Sequence, residues 1–232
     1  VHIPDGFINA PTSLAAGAVA AGGVGVSLRR TAQTLQERQV PLAGLVAAYI
    51  FAVQMLNFPV AAGTSGHLLG GVLAAVLVGP WAGCICVAVV LTVQALFADG
   101  GLTALGLNIT NMAVVGVFGG WVVFRLLRRA LPATRTSVMV SSGIAAGISV
   151  VLAACAFVVE YAVGGHGDAS VGTVFGAMVG VHTLIGIGEG IITALTVGVV
   201  LNVRPDLVYG ASDLQRPPVL TAGPEPAGGE VS

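Results

Sequence analysis

The chain has 232 residues, of which 56% are hydrophobic and only 8% charged, with a formal net charge of −1 and a mean hydropathy of +0.96. Ordinary globular domains carry about 25% charged residues, so a soluble enzyme and a nucleic-acid binder are both excluded. What remains is an integral membrane protein, all-α, built as a single helical bundle because the apolar segments run nearly end to end.

The first seven residues, VHIPDGF, carry an acid and neither arginine nor lysine. A secretory signal needs a basic start, an apolar core and a cleavage site, so no cleaved signal is read here. The nine basic residues are all arginine. Together with so much Ala, Gly and Val this reads as a GC-rich coding sequence, in which Val1 is a translated GTG start, Met in the cell. Pro4-Asp5-Gly6 is a turn that folds the terminus back toward the bundle.

Apolar runs follow at about 12–28, 40–58, 67–79, 81–98, 108–127, 137–159 and 174–201. These are seven candidate membrane helices. The third is short for a bilayer core, which needs about 20 residues, and it meets the fourth at Gly79-Pro80, so one long kinked span is the alternative. Arginine placement separates the two counts. With seven spans, Arg29, Arg30, Arg38, Arg125, Arg128, Arg129, Arg135, Arg204 and Arg216 all fall on one side. The positive-inside rule then sets the N-terminus outside and the C-terminus in the cytoplasm. The outer side holds His2, Asp5, His67, Asp99, Glu160, His166 and Asp168, of which Asp99, His166 and Asp168 read as solvated loop residues.

Cys84, Cys86 and Cys155 sit inside apolar runs as small core residues. Gln54, Asn57, Asn108, Thr110 and Asn111 lie near the outer ends of two spans and suit interhelical hydrogen bonds. Asn57 and Asn108 are also candidates to support metal ligands. His182 and Glu189 are seven apart and share one face of the last span, which must turn to the bundle interior. They are either a structural pair or a device for ion passage or subunit coupling. Gly172, Gly176 and Gly180, and Ala16 and Ala20, recur at the spacing that lets helices approach closely.

A histidine at position two offers three nitrogens to one ion: the amine of residue 1, the deprotonated amide of residue 2, and imidazole Nδ1. The five- and six-membered rings so closed fill three corners of a square. His67, on the same side of the membrane, supplies a neutral nitrogen for the fourth, and square-planar nitrogen suits nickel or copper. Asp5 is expected to orient an imidazole from behind. Affinity should fall as pH drops toward and below about 6.5, where amine and imidazole both take protons.

The stretches VHIPDGF, VPLAGLVAAYIFAVQMLNFPVAAGTSGHLLGG, VQALFADGGLTALGLNITNMAVVG and GVHTLIGIGEGIITA, with PDL at 205–207, resemble the CbiM/NikM family. These are the substrate-binding membrane components of cobalt and nickel energy-coupling-factor transporters, a kind of ABC transporter, and the cobalt branch serves cobalamin biosynthesis. The resemblance implies a seven-helix protein in a bacterial or archaeal cytoplasmic membrane that binds Co2+ or Ni2+ through its own N-terminus. Carried over, the ligands are Val1, His2 and His67, with Val1 standing where the family has Met. Asp5, Asn57, Ser65, Asn108, His182 and Glu189 are the supporting or coupling candidates. The implied partners are a transmembrane scaffold subunit, two cytoplasmic ATPases and a small accessory membrane subunit. The chain has no Walker motif and no lysine to fill one, so ATP hydrolysis belongs to another chain. Residues 1–207 form the metal-binding domain and 208–232, rich in Pro and Gly from Ser212 on, a disordered cytoplasmic tail.

Two rivals stand beside this reading. Gly63-Thr64-Ser65-Gly66 matches the G-x-S-G signature of rhomboid proteases, with His182 as the base of a Ser-His dyad. A metal channel independent of ATP is the other. The sequence does not separate cobalt from nickel.

Overall fold

The computed structural model describes residues 1–59, 65–97 and 99–215. Seven helices dominate: α1 (Ala10–Thr34), α2 (Val40–Gln54), α3 (Gly71–Val78), α4 (Pro80–Leu96), α5 (Leu105–Ala130), α6 (Arg135–Gly164) and α7 (Val171–Val203). The middle of α5, Ile109–Gly119, is wound as a π-helix. A two-residue ladder, Phe58–Pro59 against Ser65–Gly66, is the extended pairing between α2 and α3.

The helix ends follow from local chemistry. Asn9 caps α1 by accepting from the Thr12 amide, Thr134 caps α6 through Ser137, and Ser170 caps α7 through Thr173. Four helices, α1, α5, α6 and α7, are long and apolar enough to cross a membrane. The third apolar run is helical only over the eight residues of α3, about 12 Å at 1.5 Å per residue, and all eight are buried. Gly79, at φ 88°, turns the chain, and α4 doubles back so closely that a Cβ on Gly83 would sit 2.9 Å from the Ala75 nitrogen. The single kinked span considered from the sequence is therefore not what forms; α3 and α4 are a tight hairpin with α3 at the centre.

The largest interhelical contact joins α6 and α7. Added Cβ atoms on Gly186 and Gly190 would lie 2.8 and 2.7 Å from the carbonyl oxygens of Gly147 and Gly143, so the two backbones touch at a crossing of small residues. Gly176 and Gly180 face open space and take no part in it, whereas Ala16 and Ala20 are buried in the bundle. Gly190→Ala should cost about 1–3 kcal/mol through overpacking. Gly188→Ala, where nothing lies within 4 Å, should gain about 0.5–1 kcal/mol of helix propensity. Thermal melts in detergent check the pair, and equal shifts would contradict the crossing.

One end of the bundle gathers Thr31, Leu35, Gln39, Gly79, Trp81 and Tyr209 around a common cleft. The described arginines of α1, α5, α6 and the α7 terminus lie toward this end. The stretch just after residue 207, expected to be disordered, is folded over its described residues. Tyr209–Leu214 is a 3-10 segment with Val208 and Ala211 buried, and Arg128 pairs with Asp213. The apolar side chains of this stretch give it a docking face that averaged Pro and Gly content conceals. Residues 216–232 lie outside the described residues.

Candidate metal site at the buried N-terminus

The opposite end is closed by the chain's own beginning. A turn at Pro4–Phe7, with Gly6 at φ 75°, reverses the chain. Residues 6–9 are then zipped to the loop after α6: Asn9 N–H donates to Gly164 at 2.7 Å and His166 N–H to Phe7 at 2.9 Å. Phe7 packs between Phe157 and Tyr161. Residues 1–3 thereby run inward, and Val1 and Ile3 are fully buried while His2 is 4% exposed.

Asn108, near the start of α5, holds this plug with both ends of its amide. Its Oδ1 accepts from Ile3 N–H at 2.8 Å, and its Nδ2 donates to Ile3 C=O at 3.3 Å. Gly101 N–H donates to the same carbonyl at 2.9 Å. Asp5 accepts from the amide and hydroxyl of Thr103, which hold its carboxyl below the usual range. Asp5 therefore fastens the plug to the loop before α5; the expectation that it orients an imidazole is corrected here.

The carboxylate that meets an imidazole is that of Asp99. Its Oδ1 lies 2.9 Å from His2 Nδ1, and Asn57 donates to its Oδ2 at 3.4 Å. The His2 contact keeps Asp99 below the ordinary carboxylate range. Burial lowers the His2 imidazole, with Asp99 opposing. The same two influences act on the Val1 amine, where burial dominates and brings it down to about 5.

His67 faces His2 with ring centroids 4.3 Å apart. Its Nδ1 donates to Leu68 C=O at 2.7 Å, which fixes the tautomer and leaves the Nε2 lone pair exposed to the interior. That buried Nε2 has no hydrogen-bond partner among the described residues. The backbone carrying His67 is gripped from two helices. Glu189 on α7 accepts from Leu69 N–H and Gly70 N–H, both at 2.7 Å, and Gln54 on α2 donates to Leu69 C=O at 2.7 Å. A buried carboxylate satisfied by two amides is a stable arrangement only while that loop keeps its shape.

His182 does not pair with Glu189. It donates from Nδ1 to Met178 C=O at 2.7 Å, and its buried Nε2 also has no partner among the described residues. The Ser65 side chain, with Gly63 and Thr64, lies outside the described residues. Among the described residues no three His, Cys, Asp or Glu side chains converge, so an ion held here must draw on main-chain nitrogens as well as imidazoles.

The structure thus brings Val1, His2 and His67 together, places Asn57 and Asn108 behind them, and sets Glu189 under the His67 loop. Sequence reasoning missed Asp99, set aside as a loop acid, and Gln94, whose buried side chain borders His2. Both lie in the VQALFADGG stretch that carries the family resemblance, but their residue types alone do not point to His2, because each meets it only when the terminus folds back.

An apolar bundle with four helices long enough to span a bilayer is the framework of a membrane protein. Residues 2–207 match the family described as the cobalt uptake substrate-specific transmembrane region, and the chain belongs to that family. It is 40% identical over 212 residues to the putative fused nickel transport protein NikMN of Archaeoglobus fulgidus, covering 90% of this chain and 68% of that one. To the cobalt transport protein CbiM of Sorangium cellulosum it is 37% identical over 175 residues, 72% of this chain and 76% of the relative. A crystal structure of a transition metal transporter superposes with a TM-score of 0.81 at 30% identity, covering 88% of this chain and 93% of the other. These are transport proteins by name and not enzymes, so the family does not favour the protease reading.

Proposed function

We propose that this chain is the substrate-binding membrane component of an energy-coupling-factor transporter that takes up Co2+ or Ni2+, with the Val1 amine, the His2 amide and imidazole, and His67 Nε2 as ligands. The observation that carries the reading is the unpartnered Nε2 of buried His67 facing the folded-back terminus. A buried polar atom without a partner is costly, and an incoming ion with empty coordination positions removes that cost. Chelation through His2 Nδ1 requires the contact with Asp99 to open, and a half-turn of the ring about its Cβ–Cγ bond presents Nδ1 instead.

The reading takes residue 1 as the mature N-terminus, with seven spans, the N-terminus outside and the arginine-rich end in the cytoplasm of a bacterial or archaeal cell. A scaffold subunit, two ATPases and a small accessory membrane subunit complete the transporter. Asp99, Asn57 and Asn108 hold the plug, and Glu189 and Gln54 hold the His67 loop. His182 is a way-station or coupling residue below them.

Calorimetry with Ni2+ and Co2+ on the purified chain should give one ion per protein. Vesicles holding this chain alone should take up little metal, since uptake needs the ATPases. Absence of stoichiometric binding would overturn the ligand set, and strong ATP-independent uptake would favour the channel.

The pH dependence has a defined slope. An amine depressed to about 5 in the docked plug carries no proton at pH 7, and the lowered His2 imidazole follows the same direction. The docked state binds fewer protons than the undocked one, so docking is fully favoured above about pH 8 and weakens as pH falls toward 5. With the terminus docked, only the His2 amide gives up a proton on metal binding. Log affinity should therefore rise by about one per pH unit between pH 6 and 8 and more steeply below about 5. A slope near two at pH 7 would mean that the apo terminus sits in water, as the sequence-based expectation assumed.

A further inference from the structure

At the arginine-rich end a cavity of about 340 Å3 opens between the last turns of α5 and the 3-10 segment Tyr209–Leu214. One wall is aromatic: Trp121 stacks on Phe124 with centroids 5.2 Å apart and meets Tyr209 at 5.7 Å. The other wall is cationic, with Arg125, Arg128 and Arg129 against one acid, Asp213.

Arg128 is committed to the fold, donating to Ser137, Pro132 C=O and Asp213. Its pairing uses up the one carboxylate. Arg125 lies over the Trp121 ring at 5.9 Å, and Arg129 makes no hydrogen bond or ion pair among the described residues. These two are four apart on α5, where like charges repel. Three guanidiniums less one carboxylate leave two positive charges beside an aromatic wall, with nothing in the described fold to balance them. One position along from Trp121 and Arg125, Val122 and Leu126 are each 56% exposed and form an apolar ridge on the same helix.

We propose that this cavity binds the phosphate of an anionic phospholipid, held by Arg125 and Arg129 with its acyl chains along Val122 and Leu126. The planar guanidinium fork opposes the charge of a phosphate and can bond two of its oxygens at once, and basic pockets between helices at a membrane boundary suit such headgroups. Free inorganic phosphate shares this chemistry but gains nothing from the ridge.

The test is native mass spectrometry of the purified chain titrated with phosphatidylglycerol, phosphatidylcholine or inorganic phosphate. Phosphatidylglycerol should bind in preference to phosphatidylcholine, and Arg125→Gln/Arg129→Gln should weaken it about thirtyfold. Arg29→Gln/Arg30→Gln, which removes the same charge from the same end, should leave it nearly unchanged. Should the double variant fail to fold, Arg129→Gln alone should weaken binding about fivefold. Equal loss in the Arg29/Arg30 control would reduce the effect to general surface charge. Equal binding of phosphatidylcholine, or competition by inorganic phosphate at the concentration of the lipid, would also overturn the proposal.

Discussion

A protein extended by a few residues before Val1, or acetylated there, should lose Ni2+ or Co2+ affinity by at least about 100-fold, more than a supporting residue costs in a metal site. Either change converts the amine to an amide; the extension also moves His2 away from position two, so both chelate rings are lost. There is a second reason, visible only in the fold. Val1 has no exposed surface, so an added residue must push the plug outward and break the grip of Asn108 on Ile3. Extension should therefore also lower the melting temperature, by the burial of Val1 and Ile3, about 1.5–3 kcal/mol each. Asn108→Ala separates the effects: it loosens the plug but leaves the amine, and should cost about 10- to 100-fold. Full affinity in the extended protein, measured beside one tagged at the C-terminus, would remove the terminus from the ligand set.

His67→Asn should reduce metal affinity at least about 100-fold as well, and with less damage to the fold than His67→Ala. The amide nitrogen of Asn falls near the place of Nδ1, so the bond to Leu68 C=O can be kept while the atom corresponding to Nε2 is gone. Because Nε2 has no partner among the described residues, its loss costs the described fold no hydrogen bond. His67→Ala also loses the Leu68 bond and leaves a hole, adding about 1–3 kcal/mol of destabilisation. Isothermal calorimetry with melts of both variants is the measurement; unchanged affinity in His67→Asn would assign the fourth donor elsewhere, His182 Nε2 being the next unpartnered nitrogen.

The helices were legible because continuous apolar runs leave the backbone few other solutions, and the caps at Asn9, Thr134 and Ser170 are local. Where α3 begins was not. Its apolar pattern starts at His67, but the amides of Leu69 and Gly70 are taken by a carboxylate from the far end of the chain, which delays the first turn to Gly71. The spacing of His182 and Glu189 correctly put both on a buried face. Two turns of helix still separate them by about 10 Å along the axis, so each serves a different neighbour. The turn at Pro4-Asp5-Gly6 was readable from residue types, but the partner of Asp5 was not, because a carboxylate at a turn binds whatever hydroxyl or amide the tertiary fold delivers. Asp99 shows the same limit: a loop acid looks solvated until the terminus, 97 positions earlier, arrives beside it.

The loop bearing His67 has two handles on helices that are distant in sequence, the Gln54 amide of α2 and the Glu189 carboxylate of α7. Each holds the backbone next to the imidazole by short bonds in the interior, where no water can replace a lost partner. Any sliding of α7 past α2 must then either drag His67 with it or snap one handle. In the proposed transporter the loop would work as a lever whose short arm is the imidazole, and a subunit pressing on the outside of α7 would need no path of its own to the ion.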